Sequence, residues 1–186
     1  TTCKRGVYSF YFVVEISDSF KILSQTAEDI LLQLNATENT AVTVRVAVSP
    51  ISVEDCYKEL QDEERTFQQV YEDARVLWTD LLGRIQVYGG TDEQRIMFYT
   101  SLYRTLLSPV NVTTSSGQFR NSKGEIQDAD GFTYYSSWSI WDTYRTKFPL
   151  MVLMNLDNLS DIGNSLLVHY INGKTIWSTE HEVTPT

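Results

Sequence analysis

The sequence has few of the residues that would mark a cross-linked domain or a membrane protein. Of its 186 residues only Cys3 and Cys56 are cysteines, too few for a disulfide framework or a zinc site. They could form one disulfide, or Cys56 could be a buried thiol. The apolar runs, such as 7–16, are about ten residues long, whereas a membrane-spanning helix needs roughly 20. We therefore expect no membrane span.

Positive charge is also in the minority. The chain has 15 Lys and Arg against 24 Asp and Glu, so that its net charge is −9 at pH 7. A negative surface repels phosphates, which argues against a nucleic-acid partner. Hydrophobic residues make up 42% of the chain, enough to form a folded core and to exclude gross disorder. Because the sequence opens on Thr1 rather than Met, we expect it to be a segment of a longer polypeptide.

Hydrophobic periodicity predicts strands in the first part of the chain. The β-branched and aromatic runs at 7–16 and 41–48 are typical of strands, and 30–34 is a third, shorter candidate. Their spacing suggests an antiparallel sandwich or sheet. Since two or three strands are only marginally stable alone, we expect them to pack against sequence outside this chain.

After residue 50 the apolar period becomes helical. Residues 52–55 fit a capping box that opens a helix with an acidic first turn. The polar stretch 61–66 separates this helix from an amphipathic helix that ends near Gly83. A second capping box at 91–94 opens a helix that continues to 107.

Further helices are predicted at 138–155, around Pro149, and at 160–170. The polar, glycine-containing stretch 110–137 between the helices predicts one or two surface hairpins. Inserts of this length are often functional.

The densest cluster of chemically useful side chains lies at 138–145. Trp138, Trp141 and Tyr144 could stack on a sugar ring, while Asp142 accepts hydroxyl hydrogen bonds and Arg145 supports it. Alternatively the aromatic residues belong to the core, with Asp142 and Arg145 forming an i, i+3 ion pair. The residues alone leave both interpretations open.

Other kinds of site have little support. His169 and the stretch 180–182 lack the spacing of a zinc helix, no glycine-rich phosphate loop is present, and no serine or cysteine lies in a nucleophile elbow. Three glycosylation sequons, at Asn35, Asn111 and Asn158, hint at secretion.

The order of several motifs is more informative than any one of them. FYTSLYRTLLSP at 98–109 and SIWDTYRTKFPL at 139–150 follow the segments 78–87 and 91–94, and a weaker segment lies at 182–184. This succession resembles glycoside hydrolase family 92, the calcium-dependent exo-acting α-mannosidases. The likeness is strong over residues 78–184.

The resemblance implies an α+β fold made of parts of two domains. Residues 1–50 would be the end of an N-terminal β-sandwich and 51–90 the linker helices. Residues 91–186 would be the first helices of an incomplete (α/α)6 catalytic toroid.

The resemblance also implies an activity. Family members invert the anomeric carbon, with one carboxylic acid protonating the leaving oxygen and a carboxylate activating water. Trp141 and Asp142 would line the subsite of the terminal mannose, with Arg145 as a supporting partner. The general acid, the general base and the calcium ligands would lie downstream of 182–184, so we expect no catalytic or metal-binding residue and no activity in this segment alone.

The expected partners are therefore α-mannoside glycans and the rest of the same polypeptide, and the expected location is extracellular or periplasmic. Two alternatives remain. One is a non-catalytic carbohydrate-binding or surface-assembly protein that uses the same aromatic platform. The other is a purely structural α+β domain.

Overall fold

The computed structural model describes residues 10–26, 28–121, 123–136 and 143–172, and within these ranges the fold is α+β. The strands are β1 (Tyr11–Ile16), β2 (Phe20–Gln25), β3 (Ile30–Leu34), β4 (Val44–Ser49), β5 (Val110–Asn111), β6 (Gln118–Arg120), β7 (Ile126–Asp128) and β8 (Tyr135–Ser136). The helices are α1 (Val53–Asp62), α2 (Phe67–Gly83), α3 (Asp92–Thr105), α4 (Lys147–Leu153) and α5 (Leu159–Ile171).

The four N-terminal strands form two antiparallel pairs. β1 pairs with β4 in a register that runs from Tyr11 opposite Ser49 to Ile16 opposite Val44, and β2 pairs with β3. The predicted strands at 7–16, 30–34 and 41–48 are confirmed as β1, β3 and β4 where the structure describes them. β2 was not predicted, because its register shifts between Ile22 and Ser24 and the apolar run there does not alternate.

The predicted helix starts are confirmed by their caps. The Ser52 side chain accepts a hydrogen bond from the Asp55 N–H, and at α3 Thr91 and Gln94 form a complete capping box. At α1 the capping box is incomplete, because the Asp55 side chain does not bond back to the Ser52 N–H. The Asp55 carboxylate instead accepts a hydrogen bond from the Ser49 hydroxyl at 2.6 Å. α2 begins after the predicted break and ends at Gly83.

The predicted helix at 138–155 is described only from residue 143 onwards, and within that range it is interrupted. Residues 144–146 form a turn and α4 begins at Lys147, while residues 137–142 lie outside the described ranges. Pro149 therefore lies in the first turn of α4, where the N–H that proline lacks has no partner within the helix. The helix predicted at 160–170 is confirmed as α5.

Two clusters of buried apolar side chains hold the part of the chain after residue 90 together. The first, here called the helical core, joins α3, α4 and α5 and consists of Leu102, Met151, Met154, Leu156 and Ile162. The second, here called the hairpin core, consists of Phe119, Ala129 and Tyr134.

The insert 110–137 does form hairpins, with β5 paired to β8 and β6 to β7. Its placement on the surface was wrong, however, because Phe119 and Tyr134 are buried and their rings stack at 4.0 Å. Val168 of α5 packs against this cluster. The sequence pattern of the insert does not predict this contact, because Val168 belongs to a later helix. No helix in the described ranges is long and apolar enough to cross a membrane.

Candidate functional site

The aromatic stretch that could bind a sugar follows β8 and precedes α4. On its N-terminal side Ser136 pairs with Val110 of β5. The Tyr135 N–H also donates to Ser165 Oγ of α5 at 2.9 Å. The chain that enters the stretch is thus fixed to a neighbouring strand and to a helix.

α5 holds the insert through buried polar contacts. The Thr133 N–H donates to Asp161 Oδ2 at 3.0 Å, and the fully buried Ser165 hydroxyl donates to the Asp161 carbonyl at 2.6 Å. Each buried hydroxyl and N–H in this contact therefore has a partner, which avoids the cost of leaving it unsatisfied.

The opposite end of the insert contacts α1. Ser116 Oγ donates to Asp55 Oδ1 at 3.0 Å, and Ser115 Oγ donates to Asp62 Oδ2 at 2.9 Å. Arg120 adds a bond from Nε to the Pro50 carbonyl at 2.7 Å. The insert thus connects the region around β4 and α1 with α5.

The predicted sugar-binding residues are only partly described. Trp138, Trp141 and Asp142 lie outside the described residues, so that their roles remain predictions. Arg145 is exposed, and its Nε donates to Tyr144 Oη at 2.5 Å while its Cζ lies 5.3 Å from the ring centroid. This distance is within the range of a cation–π contact.

Tyr144 is 50% exposed. Among the described residues Tyr144 therefore lies at the surface, whereas the alternative interpretation places it in a core together with Trp138 and Trp141, which lie outside the described residues. Its hydroxyl and ring engage Arg145, the residue that we expected to support Asp142.

The C-terminal side of the stretch has an anchor that sequence reasoning missed. Lys147, the first residue of α4, donates from Nζ to Ser108 Oγ at 2.7 Å, and burial lowers the pKa of its ammonium group. These residues are 39 positions apart, and no motif signals the contact.

Of the other candidate catalytic or metal-binding residues the structure describes only His169 and Cys56, and neither belongs to a described site. His169 is fully buried in α5, and the stretch 180–182 lies outside the described residues. Cys56 is fully buried and burial raises the pKa of its thiol, while Cys3 lies outside the described residues. In the described ranges no three acidic, histidine or cysteine side chains are placed to hold a metal ion.

The three sequons differ in their surroundings. Asn35 is exposed and donates to Ser19 Oγ at 2.8 Å, and the exposed Asn111 accepts the Thr113 N–H at 2.8 Å. Asn158 is half-buried at the start of α5. Asn35 and Asn111 are therefore the more accessible acceptors.

An open groove lined by both apolar and charged side chains lies in the N-terminal half, here called the N-terminal groove. It has a volume of about 1220 Å³ between β1, β4, α1 and the start of α2. Its lining includes Val14, Val46, Tyr57, Phe67 and Val70, all of them exposed. It contains none of the candidate sugar-binding residues.

Comparison with known proteins identifies a family for most of the chain. The model of the glycosyl hydrolase family 92 catalytic domain matches residues 54–184. No curated protein matches the chain.

Solved structures of that family are similar over most of the chain. An α-mannosidase of the family from Bacteroides thetaiotaomicron is 26% identical with a TM-score of 0.75, and the match covers 94% of this chain and 27% of that one. An inverting mannosidase of the family from Bacteroides thetaiotaomicron VPI-5482 is 28% identical with a TM-score of 0.63, covering 76% of this chain and 22% of that one. Another glycosyl hydrolase of the family is 26% identical with a TM-score of 0.72, covering 89% and 24%. This chain therefore spans about a quarter of the length of these proteins.

Proposed function

The chain belongs to glycosyl hydrolase family 92, and we propose that it is a segment of an enzyme that removes terminal α-linked mannose from glycans. The family match over residues 54–184 carries the proposal. Similarity to structures described as an α-mannosidase and an inverting mannosidase supports it. Because those proteins are about four times longer, the activity is proposed for a longer polypeptide that contains these residues.

The proposed domain arrangement follows the resemblance. Residues 1–50 are the end of a β-sandwich, 51–90 are linker helices, and 91–186 begin an (α/α)6 toroid. The exposed apolar side chains of β1 to β4 support this arrangement, because an apolar sheet face is stable only when another layer covers it. The N-terminal groove would then be closed by the rest of the same polypeptide.

Substrate binding is assigned to Trp141, Asp142 and Arg145. The indole face would pack on the C–H side of the terminal mannose, and the carboxylate would accept hydrogen bonds from two ring hydroxyls. Arg145 would strengthen that carboxylate by a charge-assisted bond. Its guanidinium also contacts the hydroxyl and the ring of Tyr144.

The proposed reaction is hydrolysis with inversion at the anomeric carbon. It needs one carboxylic acid to protonate the leaving oxygen and one carboxylate to take a proton from the attacking water. We assign both groups to the remainder of the polypeptide. The role of this segment is to bind and orient the terminal mannose.

Calcium is proposed as the cofactor of the longer enzyme on the strength of the resemblance alone. The described residues do not fit it, since no cluster of three suitable ligands is found among them. Following the resemblance, we propose that the calcium ligands lie downstream of residues 182–184 and that the contribution of this segment to catalysis does not involve the metal.

Export and glycosylation are proposed with the activity. A glycosidase that acts on glycans outside the cell would meet its substrate there, and the exposed Asn35 and Asn111 would be the acceptors. A mass shift on deglycosylation that is lost in Asn35→Gln and Asn111→Gln would support this part, and an unmodified secreted protein would contradict the glycosylation.

The activity is tested by mannose release from α-linked mannobiosides by the longer polypeptide, in calcium and after chelation. We expect release that requires calcium and is lost in Asp142→Ala, with the matched variant Asp157→Ala, an exposed carboxylate, retaining it. The absence of release under every condition would contradict the proposal. Saturable mannose binding without hydrolysis would instead favour a non-catalytic carbohydrate-binding protein.

The isolated 186-residue segment provides a second test. We expect it to release no mannose, because the acid and the base are assigned elsewhere. Robust turnover by the segment would overturn that assignment.

A further inference from the structure

The insert at 110–137 contacts two separate parts of the described structure. One part, here called the N-terminal unit, consists of β1, β4 and α1, which pack against one another. The other is the helical core, against which α2 packs through Leu81 and Leu82. Residues 63–66 link α1 to α2 along the chain, and the insert provides a second, non-covalent connection between the N-terminal unit and the helical core.

β6 takes part in this connection with both of its faces, because neighbouring side chains of a strand point to opposite sides. Phe119 belongs to the hairpin core, where its ring stacks on that of Tyr134. The next residue, Arg120, donates from Nε to the Pro50 carbonyl at 2.7 Å and from Nη2 to the Ile51 carbonyl at 3.4 Å. One short strand thus joins the hairpin core to the chain that follows β4.

A buried carboxylate of α1 makes a further contact with the insert. Asp55 is 8% exposed, and its Oδ2 accepts a hydrogen bond from the Ser49 hydroxyl of β4 at 2.6 Å. Its Oδ1 accepts a hydrogen bond from the Ser116 hydroxyl of the insert at 3.0 Å. A carboxylate removed from water needs such donors, so separating the insert from α1 would leave Oδ1 without its described donor.

The other end of the insert is fixed to the helical core through α5. Asp161 Oδ2 accepts a hydrogen bond from the Thr133 N–H at 3.0 Å. One turn later Ser165 Oγ accepts a hydrogen bond from the Tyr135 N–H at 2.9 Å. Ile162, on the same helix, is buried in the helical core. A continuous series of contacts therefore leads from the helical core through α5 and the insert to α1.

We propose that the insert couples the N-terminal unit to the helical core, so that the two open together as one cooperative unit. The coupling depends on the hydrogen bonds of Ser116 and Arg120, here called the tie. When the helical core is weakened, α1 opens more readily although none of its own residues has changed. This inference goes beyond the proposed function and does not depend on the activity.

The test is hydrogen–deuterium exchange of the longer polypeptide, measured by mass spectrometry on peptides that cover α1. Helix amides exchange when the helix opens, so their exchange rate follows the opening equilibrium. Leu102→Ala, in the helical core, should raise the exchange rate of α1 by roughly tenfold or more, because it leaves a cavity in a buried site. In the variant Ser116→Ala/Arg120→Met, which lacks the tie, adding Leu102→Ala should raise it by less than about twofold.

Arg65→Met is the matched control. Arg65 forms exposed ion pairs near the link between α1 and α2 and does not belong to the tie, so the response of α1 to Leu102→Ala should persist in this background. If Leu102→Ala does not fold, Ile162→Val is a milder change in the same core and should raise α1 exchange roughly threefold. If the variant without the tie does not fold, Ser116→Ala alone should reduce the response.

Two results would overturn the coupling. One is an α1 exchange rate that does not respond to weakening of the helical core in the otherwise wild-type protein. The other is an equal response with and without the tie, because the coupling would then run through residues 63–66 and α2. Neither result depends on mannose release, so the proposed function is tested separately.

Discussion

The N-terminal strands, residues 10–49, and the region after residue 90 use similar sequence signals but differ in what they bury. Among the described N-terminal residues Ala47 and Ser49 are buried, whereas Phe12 and Leu31 are 63% and 58% exposed. After residue 90 the helical core and the hairpin core enclose large apolar side chains.

This difference shows that a segment can form a strand or helix without burying its apolar side chains. Backbone pairing in β1 to β4 follows from local pattern, but the free energy of apolar burial requires a second layer. In the region after residue 90, the helices and hairpins pack on one another and so provide this second layer themselves. In the described part of the chain α1 packs against β1 and β4 and buries Ala47, but most apolar side chains of β1 to β4 stay exposed. This agrees with their proposed place at the end of a larger sandwich.

The largest expected effect comes from the stacked pair of the hairpin core. Phe119→Ala should lower the free energy of unfolding of the chain by about 3–5 kcal/mol, because it removes a fully buried ring and leaves a cavity. Chemical denaturation followed by circular dichroism measures this. The matched variant Phe12→Ala, on a ring that is 63% exposed, should change it by about 0.5 kcal/mol or less. Equal losses would remove the contrast between the regions.

A second matched pair tests the helical core. Leu102→Ala should lower the free energy of unfolding by about 2–5 kcal/mol, since Leu102 is 4% exposed. Leu31→Ala removes the same atoms from an exposed position and should cost about 0.5 kcal/mol or less. The same denaturation experiment compares them, and a larger loss for Leu31→Ala would contradict the account.

A smaller effect is expected where the two regions meet. Asp55 is buried and accepts hydrogen bonds from Ser49 and Ser116. Asp55→Ala should therefore cost about 1–3 kcal/mol, because the buried Ser49 hydroxyl loses its acceptor. The exposed Asp29 is the control, and a thermal melt in which both alanine variants behave alike would show that this contact is not stabilising.

The smallest effect concerns pH. The Arg65 guanidinium, whose Nε donates to Glu63 at 2.8 Å, lowers the pKa of Glu63 from 4.5 to about 2. Because the folded-state pKa is depressed, its contribution to stability is present above pH 4.5 and is lost as the pH falls towards about 2. The pair is solvent-exposed, so the change in stability should be small.

Carbon-detected NMR titration measures this pKa directly. In Arg65→Met the pKa of Glu63 should return towards its ordinary value, whereas Arg75→Met, in the next helix, should leave it unchanged. A Glu63 carboxyl that titrates normally in the wild-type chain would refute the ion pair.

What the sequence could predict is local. Ser52 and Thr91 identify helix starts correctly, because a cap is decided by the cap residue and the N–H groups of the next turn. The burial of Phe119 and Tyr134 could not be foreseen, since it requires Val168 of α5. The Lys147–Ser108 contact is equally remote, joining residues 39 positions apart.

In the candidate site, too, the sequence predicted some features and not others. The motif order at 98–109 and 139–150 was sufficient to predict the family, and the match over residues 54–184 confirms it. The assignment of Trp141 and Asp142 to mannose binding stays a prediction, because these residues lie outside the described ranges. Arg145 was predicted to support Asp142, and its contact with Tyr144 could not be inferred from spacing alone.

The central claim is that this chain is part of an inverting α-mannosidase, and real-time proton NMR of α-mannobioside hydrolysis by the longer polypeptide tests it most directly. The account predicts that β-mannose is the first product in the presence of calcium and that α-mannose appears only later by mutarotation. If α-mannose is the first product, or if no mannose is released, the claim is contradicted.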